Sequence, residues 1–159
     1  MALAAETIQR GGVIVKHVKS IGHVAVSVKD IERSLDFYVN KLGFDEMFRL
    51  EREDRLWIVY LRITDTQYIE LFPDAVGDGA PPFANVGFNH LCLEVDDIDA
   101  AIAELTGKGV VLTSEKTLGV DHNYQAWIAD PEGNRIELMQ LGEKALQLQA
   151  IARLRQERA

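Results

Sequence analysis

Four side chains with the chemistry of metal ligands occupy matched positions in two parts of this sequence. The histidines are His23 and His90, the glutamates are Glu70 and Glu137, and the second member of each pair follows the first by 67 residues. Neutral imidazole binds transition metals such as Zn, Ni, Co and Fe, whereas carboxylate and water also suit harder ions. We therefore interpret the four residues as candidate ligands of one divalent metal ion.

The same offset relates longer stretches of the chain, which indicates an internal repeat. GHVAVSVKDIERSLDFYVNKLGF (22–44) aligns with NHLCLEVDDIDAAIAELTGKGVV (89–111), and QYIEL (67–71) aligns with NRIEL (134–138). Each long stretch reads as an alternating strand, an aspartate that can cap a helix, and an amphipathic helix. Each short stretch reads as a strand with a glutamate inside it.

The segments between these stretches complete a β-α-β-β-β pattern in each copy. Further strands are expected at 45–51 and 56–64 in the first copy and at 110–116 and 124–130 in the second. DPEGN at 130–134 is typical of a tight turn into the last strand. Because one helix covers only one face of such a sheet, two units must associate. The predicted fold class is α+β, with two β-α-β-β-β modules forming a curled mixed sheet around a metal-binding cup.

The domain organisation follows from the repeat. The predicted parts are an N-terminal extension (1–19), a single domain (20–141) made of modules 20–74 and 88–141 with a linker at 75–87, and a C-terminal helix (142–159). Glycine and proline concentrate in the linker. The C-terminal helix has an apolar seam, which packs either on its own sheet or on a second subunit.

Strand alternation directs the candidate ligands to one face of each sheet. The three valines of HVAVSV (23–28) form an apolar set that should pack on the helix, so His23 faces the other way. The same reasoning directs His90 and both glutamates away from the helices. Two alternatives stay open: a lone strand histidine is often a hydrogen-bonded core residue, and the glutamates can form buried ion pairs with Arg62 or Arg135.

A set of two histidines and two glutamates without a thiolate differs from a closed structural zinc site, which is usually tetrahedral and contains cysteine. It leaves two positions on the metal for neighbouring substrate oxygens. A carboxylate beside such a site can move a proton between adjacent carbons as general base and acid. We expect Glu137 to act as the base and Glu70 as its partner.

The composition limits the function further. A net charge of −8 argues against a nucleic-acid footprint or a polybasic membrane patch. Cys92 is the only cysteine, which excludes a disulfide framework and a cysteine-based zinc motif. No run approaches the roughly 18 apolar residues of a transmembrane helix, and no signal-peptide core is found. We expect a cytoplasmic protein with a small-molecule substrate and with no nucleic-acid or membrane partner.

Three motifs resemble the vicinal oxygen chelate superfamily, and especially glyoxalase I (lactoylglutathione lyase). HVAVSVKDIERSLDFYVNKLGF (23–44) resembles the N-terminal signature of that family. GFNHLCLEVDD (87–97) resembles the second signature, and DPEGNRIELMQ (130–140) is similar to the closing hairpin that carries the last metal ligand. The known fold of the superfamily, paired β-α-β-β-β modules, agrees with the repeat.

The resemblance also implies a function. By position, His23, Glu70, His90 and Glu137 match the four metal ligands of bacterial glyoxalases. This implies one divalent ion (Ni, Co or Zn, with Fe or Mn as alternatives) and a glyoxalase I-like isomerase or lyase that acts by metal-chelated enediolate proton transfer. It also implies a homodimer, with the metal site closed either within one chain or between subunits.

Glu70 distinguishes this chain from other branches of the superfamily. By resemblance, extradiol dioxygenases and fosfomycin-resistance transferases have no ligand at this position, methylmalonyl-CoA epimerases commonly have glutamine, and bleomycin-binding members lack the metal set. Ser27 and Asp74 depart from the glyoxalase pattern, which has an arginine and an asparagine there. The alternatives are therefore a methylmalonyl-CoA-type epimerase, a small-molecule binding or resistance module and an extradiol dioxygenase, and the substrate-binding residues stay unassigned.

Overall fold

The computed structural model describes residues 17–157, so most of the predicted N-terminal extension lies outside the described residues. The elements in chain order are β1 His23–Ser27, α1 Ile31–Leu35 with a π-helical continuation Asp36–Lys41, β2 Asp45–Arg52, β3 Arg55–Thr64, β4 Gln67–Phe72, β5 Leu91–Glu94, α2 Ile98–Gly107, β6 Ser114–Leu118, β7 Tyr124–Ala129, β8 Arg135–Gln140 and α3 Leu146–Gln156. A β-α-β-β-β unit is thus present twice and is followed by one helix.

The strands form two four-stranded mixed sheets with the same internal order. The first sheet has the order β1-β4-β3-β2 and the second has β5-β8-β7-β6. In each sheet the first strand runs parallel to the last strand of its unit, and the other pairs are antiparallel. The predicted fold class is confirmed. The two sheets are nevertheless separate and do not close on one another.

The helices begin where the sequence predicts. The Asp30 carboxylate accepts a hydrogen bond from the backbone N–H of Arg33, and the Asp97 carboxylate accepts one from the N–H of Ala100, both at 3.0 Å. Each aspartate therefore satisfies a backbone donor that the first helical turn leaves free. The helices differ beyond their first turns: the first becomes π-helical from Asp36, whereas α2 stays α-helical.

The core lies between the sheets and their helices, on the face that alternation assigns to it. Fully or almost fully buried residues at its centre are Val28, directly after β1, and the strand residues Val59, Leu61, Ile69, Leu71, Ile128, Ile136 and Leu138. Leu35 and Tyr38 from the first helical segment and Leu105 from α2 belong to the same cluster. Both modules thus contribute to one continuous core, whose burial is the main stabilising force.

A buried polar contact also joins the modules. The Tyr38 hydroxyl donates a hydrogen bond of 2.8 Å to the Asp130 carboxylate, which begins the DPEGN turn of the second module. Asp130 additionally accepts from the backbone N–H groups of Glu132 and Asn134 at 2.9 and 2.8 Å. Because the carboxylate has several donors around it, its burial is compensated.

One strand boundary differs from the prediction. The strand expected at 110–116 is observed as β6, Ser114–Leu118. Val110 is buried, but the antiparallel register between β6 and β7 begins only where Ser114 faces Trp127. Apolar character therefore identified residues that pack in the core and not those that pair in the sheet.

The C-terminal helix α3 is attached at its start and exposed along its length. The Gln147 side chain donates to the Asp121 carboxylate at 3.0 Å and accepts from Asn123 at 2.9 Å. No residue of α3 is buried. The exposed apolar residues of its seam are Leu146, Leu148, Ile151 and Leu154. The seam is therefore not buried against the sheet of its own chain. Within residues 17–157, no helix is both long and apolar enough to cross a bilayer.

Candidate metal centre

The first candidate pair combines the start of β1 with the middle of β4. The parallel register sets His23 opposite Tyr68 and Ala25 opposite Glu70, so His23 and Glu70 stand diagonally on one face of the sheet. His23 Nε2 lies 3.6 Å from Glu70 Oε1. The Glu70 side chain is only 8% exposed and that of His23 is 52% exposed. The imidazole therefore caps a carboxylate that is set deep in the sheet.

The second candidate pair is built in the same way. His90 directly precedes β5, and Glu137 on β8 faces Cys92 in the parallel register. His90 Nε2 lies 3.2 Å from Glu137 Oε2, and the side chains are 31% and 15% exposed. The ring of Trp127 meets the His90 ring edge-on, with centroids 4.8 Å apart. This indole closes one side of the second pair.

The two pairs have the separation expected of neighbouring ligands. Ligand atoms that bond one ion at about 2.0–2.2 Å in adjacent positions lie roughly 3 Å from each other. The observed separations of 3.6 and 3.2 Å are close to that value. Imidazole and carboxylate donors without a thiolate suit Ni, Co, Zn or Fe. Each pair therefore fits half of a divalent metal site.

The structure does not support the ion-pair alternative for the glutamates. Arg62 pairs with Asp45 and Asp65, at 2.8 and 2.9 Å. Arg135 donates to the backbone carbonyl of Asn89 at 2.6 Å, and its guanidinium stacks over a phenylalanine ring. Among the ion pairs of residues 17–157, the partners of both glutamates are histidines.

The four candidates form two pairs and not one cluster. In the part of the chain that the structure describes, no three His, Cys, Asp or Glu side chains come close enough to hold one ion. The expectation that all four converge on a single point is therefore not met within one chain. We call each histidine–glutamate pair a half-site. A complete set of four ligands needs one half-site from each of two modules that face one another.

Each glutamate has a distinct neighbour across the sheet. Tyr60 on β3 is opposite Glu70, and hydrogen bonding to this carboxylate raises the pKa of the tyrosine above its usual value. Phe48 stacks on the Tyr60 ring with centroids 4.5 Å apart. On the second sheet, burial together with the charge of Glu137 raises the pKa of the Cys92 thiol to about 12. Both neighbours therefore keep their protons and can donate to the glutamates.

Two cavities border the candidate pairs, one between the modules and one between the linker and the second module. One, of about 440 Å³, is bordered by His23 and Cys92 and is otherwise mainly apolar. A smaller pocket of about 220 Å³ is bordered by His90 and Arg135. Neither glutamate lines either cavity, so both cavities reach the edges of the half-sites and not their carboxylates.

Asp74, which departs from the glyoxalase pattern, and His122 both lie in loops. Asp74 has a left-handed backbone with φ of 63°, and its carboxylate pairs with Arg55 at 2.9 Å. His122 is exposed and also left-handed, with φ of 65°. Sequence reasoning missed Tyr60, although alternation along 56–64 assigns it to the same face as Glu70. It also missed Asn89, which has no strand pattern because it precedes β5.

Fold and site together define a class: duplicated β-α-β-β-β modules that each present a histidine and a glutamate. The family model of the Glyoxalase/Bleomycin resistance protein/Dioxygenase superfamily matches residues 20–138. The chain belongs to this superfamily, and the resemblance found in its motifs is confirmed.

Its relatives have several recorded roles. The chain is 34% identical to the uncharacterized protein YwkD of Bacillus subtilis, over 76% of this chain and 96% of that one. It is 32% identical to the mitochondrial methylmalonyl-CoA epimerase of Bos taurus, over 60% and 58% of the two chains. It is 28% identical to the lactoylglutathione lyase of Pseudomonas putida, over 74% and 83%.

A solved structure adds a binding protein to this group. TnmS3 from Streptomyces sp. CB03234, an antibiotic-binding protein, superimposes with a TM-score of 0.62 at 27% identity, over 78% of this chain and 97% of TnmS3. The superfamily thus includes lyases, epimerases and binding proteins, and the individual activity has to be argued from the site.

Proposed function

We propose that this protein is a metal-dependent isomerase or lyase of the glyoxalase I type. The observation that carries the proposal is the presence, in both modules, of a histidine and a glutamate at the separation of neighbouring metal ligands, 3.6 and 3.2 Å. The proposed ligands are His23, Glu70, His90 and Glu137. The likeness to the lactoylglutathione lyase of Pseudomonas putida supports this reaction type.

We further propose that the complete site forms between two copies of the chain. Each copy carries two half-sites, and within residues 17–157 of one copy they do not join into one ligand cluster. A two-fold symmetric dimer can set the first module of one subunit against the second module of the other, which gives two identical sites. Phe48 and Leu50, on the same face as Glu70 according to the strand register, are 44% and 37% exposed and would become covered.

A divalent ion bound by this set would polarise two adjacent oxygens of an α-hydroxy-carbonyl substrate and make the neighbouring C–H more acidic. The residues of the chain then divide the remaining tasks. Tyr60 faces Glu70 and holds this carboxylate in place. Glu137 has a thiol neighbour, which is a weaker donor, so it is freer to take a proton from one carbon and return it to the next.

Heterodimers of two inactive variants test the shared site. Glu70→Ala removes a ligand from the first module and Glu137→Ala removes one from the second. A heterodimer of these two variants, purified through different tags, keeps one intact site of two, and about half of the wild-type turnover should return. The matched control combines Glu70→Ala with His23→Ala, which damage the same module and should give no recovery. Absence of recovery in both heterodimers would contradict a site between subunits.

The reaction type is tested separately, on protein of defined metal content. Wild-type protein loaded with Ni, Co or Zn should exchange the α-proton of hemithioacetal or acyl-thioester substrates with deuterated solvent. Exchange without metal, or no exchange with any member of the panel, would refute the enzymatic proposal. Oxygen consumption with catechols would instead indicate a dioxygenase.

A second candidate function is an epimerase that acts beside a thioester carbonyl. It uses the same proton transfer, and the relative from Bos taurus supports it. Ser27 and Asp74, which replace the arginine and the asparagine of the glyoxalase pattern, weaken the case for a glutathione substrate, because an aspartate there would repel the carboxylates of the tripeptide. Inversion of a chiral acyl thioester without lyase activity would select this alternative. A protein that binds an antibiotic-like ligand and purifies without metal would instead be a binding module, as TnmS3 is.

A further inference from the structure

The ring of His90 lies between two hydrogen-bond acceptors. Its Nε2 faces the Glu137 carboxylate at 3.2 Å, and its Nδ1 lies 2.8 Å from the side-chain oxygen of Asn89. A neutral imidazole carries one proton and can donate to only one of these two acceptors. The unprotonated ring nitrogen then directs its lone pair at the oxygen of the other acceptor, and these two atoms repel each other. A cation bound between that nitrogen and that oxygen removes the repulsion.

The orientation of the Asn89 amide decides which side of the ring carries the proton. Its nitrogen donates to the backbone carbonyl of Phe83 at 3.4 Å, so its oxygen is the atom that faces His90. The backbone carbonyl of Asn89 also accepts from Arg135 at 2.6 Å, and the Arg135 guanidinium stacks over the Phe83 ring at 4.2 Å. Asn89 is therefore held through its backbone and its amide by the linker and by β8.

An oxygen fixed at this position requires an N–H on Nδ1. The proton on Nδ1 leaves Nε2 as the free donor nitrogen, directed to Glu137. Hydrogen bonds from the second ring nitrogen commonly fix the tautomer and the orientation of metal-binding histidines. The first module has no such acceptor from the preceding residue, because the residue before His23 is Gly22, which has no side chain. Within residues 17–157, no side-chain hydrogen bond to Nδ1 of His23 is present either.

We propose that Asn89 is a positioning residue, which holds His90 in the Nδ1–H tautomer and prepares Nε2 to bind a metal ion together with Glu137. The metal part of this inference rests on the proposed function, whereas the tautomer part does not. In the second module, the histidine is accordingly oriented before the metal ion binds. This orientation depends on the linker, because the backbone carbonyl of Phe83 holds the Asn89 amide.

Metal affinity gives the first test, with Zn²⁺ and Ni²⁺ titrated against a chromophoric chelator. Asn89→Ala should weaken binding by about 10- to 100-fold. Asn89→Asp keeps an acceptor oxygen and loses the donor to Phe83, so it should retain most of the affinity. Equal losses in both variants would overturn the proposal, because they would mean that Asn89 only supports the linker. Gly22→Ala is the matched control before the other histidine, where an added Cβ meets no atom within 4 Å, and it should bind as wild type.

Nitrogen NMR of histidine-labelled, metal-free protein gives a test that needs no metal. The background is Glu137→Ala, which removes the competing acceptor and leaves Asn89 as the acceptor facing the ring. The neutral His90 ring should then be protonated on Nδ1, and adding Asn89→Ala should move the proton to Nε2, which is favoured in free histidine. Protonation of Nε2 in the Glu137→Ala protein would refute the inference. If wild-type protein binds neither Zn²⁺ nor Ni²⁺ while the Glu137→Ala protein carries the Nδ1 proton, the proposed function alone is refuted.

Discussion

The two modules have the same donors but different surroundings for them. In the first, Glu70 is the more deeply buried glutamate, faces a tyrosine hydroxyl and lies beside exposed aromatic and aliphatic residues. In the second, Glu137 faces a thiol, and its histidine is held by Asn89 and bordered by Trp127. The duplicated units therefore retain a common donor geometry while their neighbouring residues assign different tasks: the first fixes its carboxylate and the second fixes its imidazole.

The largest effect should come from replacing Glu137, the proposed base. Glu137→Gln removes the proposed base and should lower the rate of α-proton exchange by about 10²- to 10⁴-fold. Circular dichroism should stay unchanged, since the Glu137 side chain lies on the face of β8 opposite the buried Ile136 and Leu138 and not in the apolar core. Glu115→Gln, an exposed glutamate of the same module, is the control. Unaltered turnover of the Glu137→Gln protein, at wild-type metal content, would refute its role as base and remove the functional distinction between the modules.

The contact between the modules should give the next largest effect. Tyr38→Phe removes a buried donor from Asp130 and should lower the free energy of unfolding by about 1–3 kcal/mol. Urea denaturation followed by fluorescence measures this loss. Because both modules share one core, the transition should stay single in the variant. Two separate transitions in wild-type protein would show instead that the modules fold independently.

The same contact predicts a pH dependence. Burial, together with the charge of Asp130, raises the pKa of Tyr38 far above its usual range. Below about pH 10, the ordinary tyrosine pKa, folded and unfolded chains both keep this proton and the contact contributes fully. At higher pH the unfolded chain releases the proton and the folded chain retains it, so stability is lost as the pH rises. The stability difference between wild type and Tyr38→Phe should thus shrink above about pH 10. A difference that grows there would contradict the burial of a neutral tyrosine.

The smallest expected effect concerns the neighbours of the glutamates. Tyr60→Phe leaves the Phe48 stack in place and removes the hydroxyl beside Glu70, and it should weaken metal binding by about tenfold. Cys92→Ala is the corresponding change beside Glu137 and should have less effect, because a thiol is a weak donor. Isothermal titration with Zn²⁺ measures both. A larger loss of metal affinity from Cys92→Ala than from Tyr60→Phe would mean that Glu137, and not Glu70, is the carboxylate that its neighbour holds in place.

Much of the fold was determined by local sequence patterns. The 67-residue offset, the alternating valines of β1 and the capping aspartates Asp30 and Asp97 predicted two β-α-β-β-β units and the face on which each candidate ligand lies. These features depend on contacts within a few residues or on the pleat of a single strand, so a sequence displays them directly. The glyoxalase-like family was recognisable for the same reason.

Tertiary structure alone decided how the parts meet. Each histidine contacts the glutamate of its own module, and the two pairs stay apart within one chain, because the spacing of the modules is set by the shared core and by the Tyr38–Asp130 contact. The arrangement that orients His90 joins Phe83, Asn89 and Arg135 from the linker and β8. No periodic pattern connects these residues, since their proximity results from the packing of segments that are distant in the chain.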